Sequence, residues 1–538
     1  MIIVSSTRMY RSREELLSEV TSASVVAIDS ESDGERLLGL AIAVSPDTAF
    51  YFTIGDPDIP LQFLSSVPSV FHNVLWDVPL LYDTLHIDIQ YIFDTMLAAQ
   101  SCGYHAALGD LSVPFNFSHR HITDLLYDDT GRKIKVKGEG KKSRDLTLGE
   151  VPVQELAPIC CGHAQATYKI WEALKDKVPK SYTLDMEILP LVMDMHKRGI
   201  RVDTELAQER HTKLKSEISY LRMLCDGMGF NPASPKQIGL ALAHDGFMTY
   251  FTKSGNMVTD EEAMRPLMDE TPIVPLVLRF REKSYLDSHY IKPLTTIDRW
   301  YPRYHIVRTG RFASSPQIQN IPEGERDLYL PNVGDFFWDA DAHQIEPVLM
   351  AYLSGDKQMI ADVSTGDIYK PIAYRLHLDR YTTKQLVLAC SYEASAAKLA
   401  EMTKGRIDQV GAAQMIDGYY ERYHRFKEWK GEVREQAARD GYVLTLLGRK
   451  RTLESMMEGE EYDYDPLLKA VNTIVQGSGA DILKLGMKRV MDRKVSLTCH
   501  DEIAISTAAD IPADILDNLC NVPVTWNIKT GENWGELK

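Results

Sequence analysis

Near the carboxyl end, apolar and polar residues alternate along Val495-Ser496-Leu497-Thr498-Cys499 and again along Ile503-Ala504-Ile505-Ser506, which predicts two strands meeting at His500-Asp501-Glu502. Residues 335–340 and 442–447 read as further strands, and Glu346-Pro347 opens a helix just after the first of them, proline suiting a first helical turn. A long helical stretch at about 357–440 separates these pieces, so a sheet with a helical excursion is predicted beyond residue 300. Upstream the period changes. Leu214, Ile218, Leu221 and Cys225 recur at helical spacing after the cap candidate Asp203-Thr204, with Gly227 and Gly229 as a stop, so residues from about 185 to 300 read as a helical arm. Residues 1–175 alternate short strands, at 25–28 and 37–44, with helical runs, the pattern of an α/β layer.

At 538 residues the chain is too long for one core, and a multidomain protein follows. No stretch approaches the roughly 20 apolar residues of a membrane helix, and the first residues lack a basic, cleavable leader. A cytoplasmic location is expected, the host cytoplasm for a viral source. The seven cysteines, at 102, 160, 161, 225, 390, 499 and 520, include no C-x-x-C pair, which argues against a zinc ribbon or disulfide framework and for reduced, mostly buried thiols. The net charge of −16 argues on average against nucleic acid. Two basic clusters survive that average: Arg132, Lys133, Lys135, Lys137, Lys141, Lys142 and Arg144, then Arg449-Lys450-Arg451. Each reads equally as a phosphate contact or as a solvated loop.

The acidic tip at Asp501-Glu502 is the first candidate for chemistry, since Mg²⁺ takes oxygen ligands and keeps positions open for substrate phosphates. Alone it is as well explained as a solvated turn. A second carboxylate, Asp341, ends the strand Phe336-Phe337-Trp338-Asp339-Ala340-Asp341. If Asp341 and Asp501 face each other, they form a two-metal site of the kind that clamps attacking and leaving oxygens in phosphoryl transfer. Within the helical excursion Arg380, Lys384, Leu388 and Tyr392 recur every four residues and share one helix face. Two cations there suit a triphosphate, and the tyrosine ring suits a base. A solvated basic edge is the competing reading.

Taken in order, these segments resemble the family A DNA polymerases, typified by bacterial DNA polymerase I and its large fragment. Thr309-Gly310-Arg311 and Ser315-Pro316-Gln317-Ile318-Gln319-Asn320 look like the family's segment along the primer-template, Asp341 to Glu346 its motif A, Arg380 to Tyr392 its motif B, Asn472 to Gln476 a template-side segment, and His500-Asp501-Glu502 its motif C. The resemblance covers nearly the whole chain. It implies an α/β and α+β multidomain protein: a ribonuclease H-like 3′-5′ exonuclease domain at 1–176, then a right-hand polymerase with thumb at 177–300, palm at 301–356 and 441–538, and fingers at 357–440.

By that resemblance Asp341 and Asp501 hold two Mg²⁺, with Glu502 beside the primer terminus. Arg380, Lys384, Leu388, Tyr392, Gln344 and Glu346 meet the dNTP, and Lys384 protonates the leaving pyrophosphate. Glu346 is the steric gate against a ribose 2′-hydroxyl, which argues against the related phage RNA polymerases. Arg311, Gln319, Asn320, Asn472, Gln476 and His500 contact DNA. The rival class is a catalytically dead polymerase fold kept for binding DNA. A monomer acting on primer-template DNA is expected, with a helicase or processivity factor as candidate partners and no membrane. A 5′ nuclease part is not expected, and a short chain with these two parts suits a phage replicative enzyme.

In the first region Asp29 and Glu31 follow an apolar strand and, two residues apart, point to one face. With Asn73 and Asp77 they resemble the first two exonuclease motifs, in which Asp29, Glu31 and Asp77 hold a divalent metal. The third motif departs from the family: His163 stands where relatives carry aspartate, which suits Mg²⁺ less well. A weakened or metal-altered exonuclease is the expectation. Leu388 departs too, standing where relatives have phenylalanine or tyrosine.

Overall fold

The computed structural model describes residues 2–5, 13–34, 36–55, 61–128, 130–137, 143–247, 258–403, 406–456 and 466–537. The first region is built on a six-stranded sheet of Ile2–Ser5, Val26–Ser32, Leu37–Ser45, Thr48–Thr53, Ser69–Phe71 and Tyr91–Asp94, with spatial order first, fourth, third, second, fifth, sixth. Val26–Ser32 pairs antiparallel with Leu37–Ser45 and parallel with Ser69–Phe71, so it is central and buried on its apolar face. The helix Val153–Leu174 packs on these strands through Leu156, Cys160, Cys161 and Ala164.

A second sheet runs in the order Val495–Cys499, Glu502–Thr507, Phe336–Ala342, Trp526–Gly531, all antiparallel. Phe337, Trp338 and Ala340 are buried in its middle strand, and the helix Leu467–Arg489 lies against the sheet with Leu483 and Met487 inward. The predicted excursion is helical as expected, from Lys357–Val363 to His424–Asp440. Its Arg380–Ser391 helix starts at Asp379, whose side chain accepts from the Thr382 N–H at 3.1 Å. Tyr392 falls just past that helix, yet its N–H still donates to the Leu388 carbonyl at 3.0 Å, so the spacing of four survives. In the helical arm, Asp203 caps Thr204–Gly227 as predicted, and Cys225 packs with Phe230, Ile238, Val274 and Val277 in a small core of its own. Among the described residues no helix is long and apolar enough to cross a membrane.

The first basic cluster stays solvent-exposed, with its cations paired, while the second is buried at Arg449. Lys135–Lys137 and Ser143–Asp145 form a two-stranded hairpin in which Lys133 and Lys135 pair with Asp145, and Arg144 with Glu150 at 2.6 Å. Lys141 and Lys142 lie outside the described residues. Arg449 is neither solvated nor free for phosphate: it is fully buried, paired with Asp185 and 3.0 Å from the Ser101 hydroxyl. Lys484 reaches the other oxygen of Asp185 at 2.6 Å. This cluster ties the first region, the Lys180–Arg198 helix and the Leu467–Arg489 helix together.

Candidate active sites

Strand pairing sets Asp341 directly opposite Glu502. Cys499 also pairs with Glu502, so His500-Asp501 is a two-residue turn, and it holds His500 at φ +55°. A non-glycine residue in that region signals a turn constrained by its surroundings. The Ala342 N–H donates to the Asp501 carbonyl at 3.0 Å, which locks the turn against the strand carrying Asp341. Asp341 and Asp501 line one cavity of about 390 Å³ together with Gln344, Glu346, Tyr369, Arg380, Lys384 and Leu388.

The remaining polymerase candidates meet this cavity through hydrogen bonds. Arg311 donates to Glu346 Oε1 at 3.0 Å, the Tyr392 hydroxyl donates to Glu346 Oε2, and Gln476 donates to the Tyr392 oxygen at 3.4 Å. Arg311, Gln319, His500 and Asp501 line an adjoining crevice. Asn472 sits one turn before Gln476, with a buried carbonyl oxygen that has no partner. Asn320 does not join them: it lines a separate aromatic pocket with Tyr285, Tyr290 and Trp300. Arg380 is held by Asp367 at 2.5 Å, and its guanidinium lies over the Tyr369 ring at 5.2 Å.

Burial raises the Asp501 carboxyl to about 6, against the lowering effect of Arg311. Burial also raises Asp341 and Glu502, and it raises Asp339 most, with Glu502 and Asp341 adding repulsion. Asp339 shares a strand face with Asp341, and its Oδ1 is buried without a partner. So many acids in one recess, all oxygen donors, fit divalent cations of the Mg²⁺ type. Sequence reasoning did not single out Asp339, although the spacing of two from Asp341 carried the signal. It also missed Arg326, which lies 3.8 Å from Glu502 and stacks on Trp534, whose indole N–H donates to Glu502 at 2.5 Å.

In the first region Asp29 and Glu31 come together on one face, with Cys160 Sγ close enough that all three ligand atoms lie within 4.8 Å of one another. Asp29 Oδ2 is buried and has no hydrogen-bond partner. Asp77, expected beside them, is outside that group: its carboxylate accepts from the Ser30 N–H at 3.2 Å and from the Ser30 hydroxyl, and burial pushes its pKa well up. The charges of Asp29 and Glu31 add to that rise, and only one Asp77 oxygen is taken by Ser30. Asn73 starts the next helix at φ +92°, its N–H donating to Asp94 at 3.3 Å. His163 lies 3.6 Å from Asp29 and 3.8 Å from Glu31. Burial alone would lower its pKa, but the two carboxylates outweigh burial and raise it to about 10.

The profile of DNA polymerase family A matches residues 201–536. The chain belongs to DNA polymerase family A. A 3′-5′ exonuclease profile matches residues 8–179 of this family A chain. It is similar to DNA polymerase I of Chloroflexus aurantiacus, 26% identical across 97% of this chain and 62% of that protein. It is also similar to DNA polymerase I of Caldicellulosiruptor bescii, 30% identical across 66% of this chain and 47% of that protein. The chain thus spans between about half and three fifths of the length of these relatives. The polymerase domain of Pol1 from M. smegmatis, solved in complex with DNA primer-template and dNTP, shares the fold: TM-score 0.74 at 22% identity, covering 97% of this chain and 98% of that one.

Proposed function

We propose that the chain is a template-directed DNA polymerase that adds dNTPs to a primer 3′ end, with a 3′-5′ exonuclease in residues 1–176, thumb at 177–300, fingers at 357–440 and a palm in two parts. The observation that carries this reading is the single cavity where Asp341 and Asp501 stand across from Arg380 and Lys384. Asp341 and Asp501 would hold two Mg²⁺, which when bound polarise phosphate oxygens and neutralise charge in the transfer. Arg380 and Lys384 bind the triphosphate, and Lys384 hands a proton to the departing pyrophosphate. Glu346, fixed at both oxygens by Arg311 and Tyr392, cannot swing away, so it excludes a ribose 2′-hydroxyl. Glu502, braced by Trp534 and Arg326, stands beside the primer end. Arg311, Gln319, Asn472, Gln476 and His500 follow the duplex, and Asn320 meets it from the neighbouring pocket.

Extension of a primed template by the purified chain with Mg²⁺ tests the reading. Extension to full length is expected. A gel shift of the same template with no extension would hand the protein to the DNA-binding alternative. For the exonuclease half, Asp29→Ala should abolish digestion of a mismatched primer, and equal absence of cleavage in both proteins would remove that activity.

A further inference from the structure

Glu393 breaks two ordinary rules at once. It follows Tyr392, the C-cap of the Arg380–Ser391 helix, at φ +58°, in the left-handed region that glycine normally fills at a helix end. Its charged side chain is only 7% exposed. The Ala394 N–H closes the helix end on the Ala389 carbonyl at 2.8 Å, so a glutamate makes the turn that suits a glycine. A non-glycine residue persists there only where its surroundings over-determine it. The helix His424–Asp440 supplies those surroundings. Lys430 lies 3.3 Å from Glu393 Oε1, and Arg434 pairs with Oε2. Lys430, itself buried, also donates to the Cys390 carbonyl and to the Tyr420 oxygen, each at 2.7 Å, and the Tyr420 hydroxyl donates to the same carbonyl at 3.1 Å. The ammonium thus faces three acceptors at the end of one helix, where the carbonyl dipoles favour a cation.

Tyr392 is what this clamp fixes. Its hydroxyl donates to Glu346 and accepts from Gln476 at 3.4 Å. Glu346 belongs to the helix Ile345–Ser354 and Gln476 to the helix Leu467–Arg489, and His424–Asp440 packs against both. One helix therefore seats all three partners, two by packing and Tyr392 through Glu393. We propose that Glu393, clamped by Lys430 and Arg434, is a positioning residue for sugar selection: it holds the Tyr392 hydroxyl on Glu346 and so keeps Glu346 against the sugar. Glycine at 393 accepts the same turn without strain but has no tie to His424–Asp440, which leaves Tyr392 to move with the end of its own helix. Arg311 still holds the other Glu346 oxygen at 3.0 Å, so loss of the clamp loosens the gate rather than removing it.

The proposal rests on reading Glu346 as the sugar gate, and Glu346→Ala separates the two. The kcat/KM for a ribonucleotide is divided by that for the matching deoxynucleotide, opposite one template base, for the full-length wild type, Glu346→Ala, Glu393→Gln and Glu393→Gly, each with a melting curve. Both Glu393 variants should raise this ratio by about two- to tenfold, short of the Glu346→Ala effect. Arg434→Met, at a side chain 37% exposed, guards against poor folding of the position 393 variants and should shift the ratio the same way, with Arg434→Lys staying nearer the wild type. Adding Glu393→Gly to Tyr392→Phe should change the ratio no further, because Glu393 acts through the hydroxyl. A merely structural part would lower Tm and slow both insertions alike. An unchanged ratio in the Glu393 and Arg434 variants, with a raised one in Glu346→Ala, overturns the proposal and leaves the gate. A ratio unchanged even by Glu346→Ala removes the gate and the proposal with it. Full additivity of Glu393→Gly and Tyr392→Phe also overturns it.

Discussion

Asp185 offers the sharpest test of how the polymerase half is held in shape. Its two oxygens bind Arg449 and Lys484, and all three side chains are at most 1% exposed. Asp481 lies close enough to act on both cations and is itself held by the Thr445 hydroxyl at 2.6 Å and the Leu447 N–H at 3.1 Å. Two acids thus balance two bases in a dry cluster. Asp185→Asn keeps the shape and deletes one charge, leaving a buried excess of +1. Breaking a buried pair from one side costs about 3–5 kcal/mol, which for a cooperative unit of 150–250 residues lowers Tm by about 6–20 °C. Scanning calorimetry reads this directly. Replacing Asp185, Arg449, Lys484 and Asp481 together by Leu, Met, Met and Asn removes all four charges, keeps an acceptor for the Thr445 hydroxyl and Leu447 N–H, and should recover most of the loss. An Asp185→Asn chain that melts with the wild type, or a quadruple variant as unstable as the single one, would refute the charge-balance argument.

Glu346→Ala should raise ribonucleotide insertion at least about tenfold in steady-state assays, because it opens the space at the sugar and frees Tyr392; unchanged sugar selection removes Glu346 from the gate. Leu388, which lines the cavity, should disfavour dideoxynucleotides, so Leu388→Phe should relax that discrimination in a chain-termination assay. Primer extension at limiting Mg²⁺ should fall as pH drops toward about 6, where a proton competes with the cation for Asp501. Stability runs the other way without metal. The folded chain holds that proton more tightly than the unfolded one, whose carboxyl titrates near 4, so the stabilising effect present at low pH is lost as pH rises from about 4 to about 6. Melting in EDTA should show that decline, Asp501→Asn should lessen it while Glu502, also raised to about 6, retains its share, and Mg²⁺ should offset it at pH 8.

Much of this was legible in the chain because it is local. The alternation around His500-Asp501, the cap at Asp203 and the spacing of four from Arg380 to Tyr392 each involve neighbours a few residues apart, and each appears in the structure as a turn, a cap and a helix face. What failed was long-range pairing. A run such as Arg449-Lys450-Arg451 looks like a surface patch because its counter-charge, Asp185, lies 264 residues earlier. In the hairpin of Lys135–Lys137 and Ser143–Asp145 the acids, Asp145 and Glu150, are near in sequence, but only the pairing of the strands brings Lys133 and Lys135 onto Asp145. Asp77 entered through the resemblance to the second exonuclease motif, and its contacts with the Ser30 hydroxyl and N–H, 47 residues away, were not readable from the chain. The substitution at His163 was visible; the Arg120 carbonyl and the His119 ring that aim it were not, since nothing in a sequence says which ring nitrogen is held.

The central claim is that Asp341 and Asp501 form one phosphoryl-transfer site with Arg380 and Lys384. Single-turnover incorporation of one dNTP by wild type and Asp501→Asn, at saturating Mg²⁺ and with primer-template binding measured on the same samples, tests it most directly. The account predicts unchanged DNA binding and a rate reduced by at least about a thousandfold, since removing a metal ligand forfeits several kcal/mol of charge stabilisation. An Asp501→Asn chain that binds DNA and incorporates at the wild-type rate would contradict it.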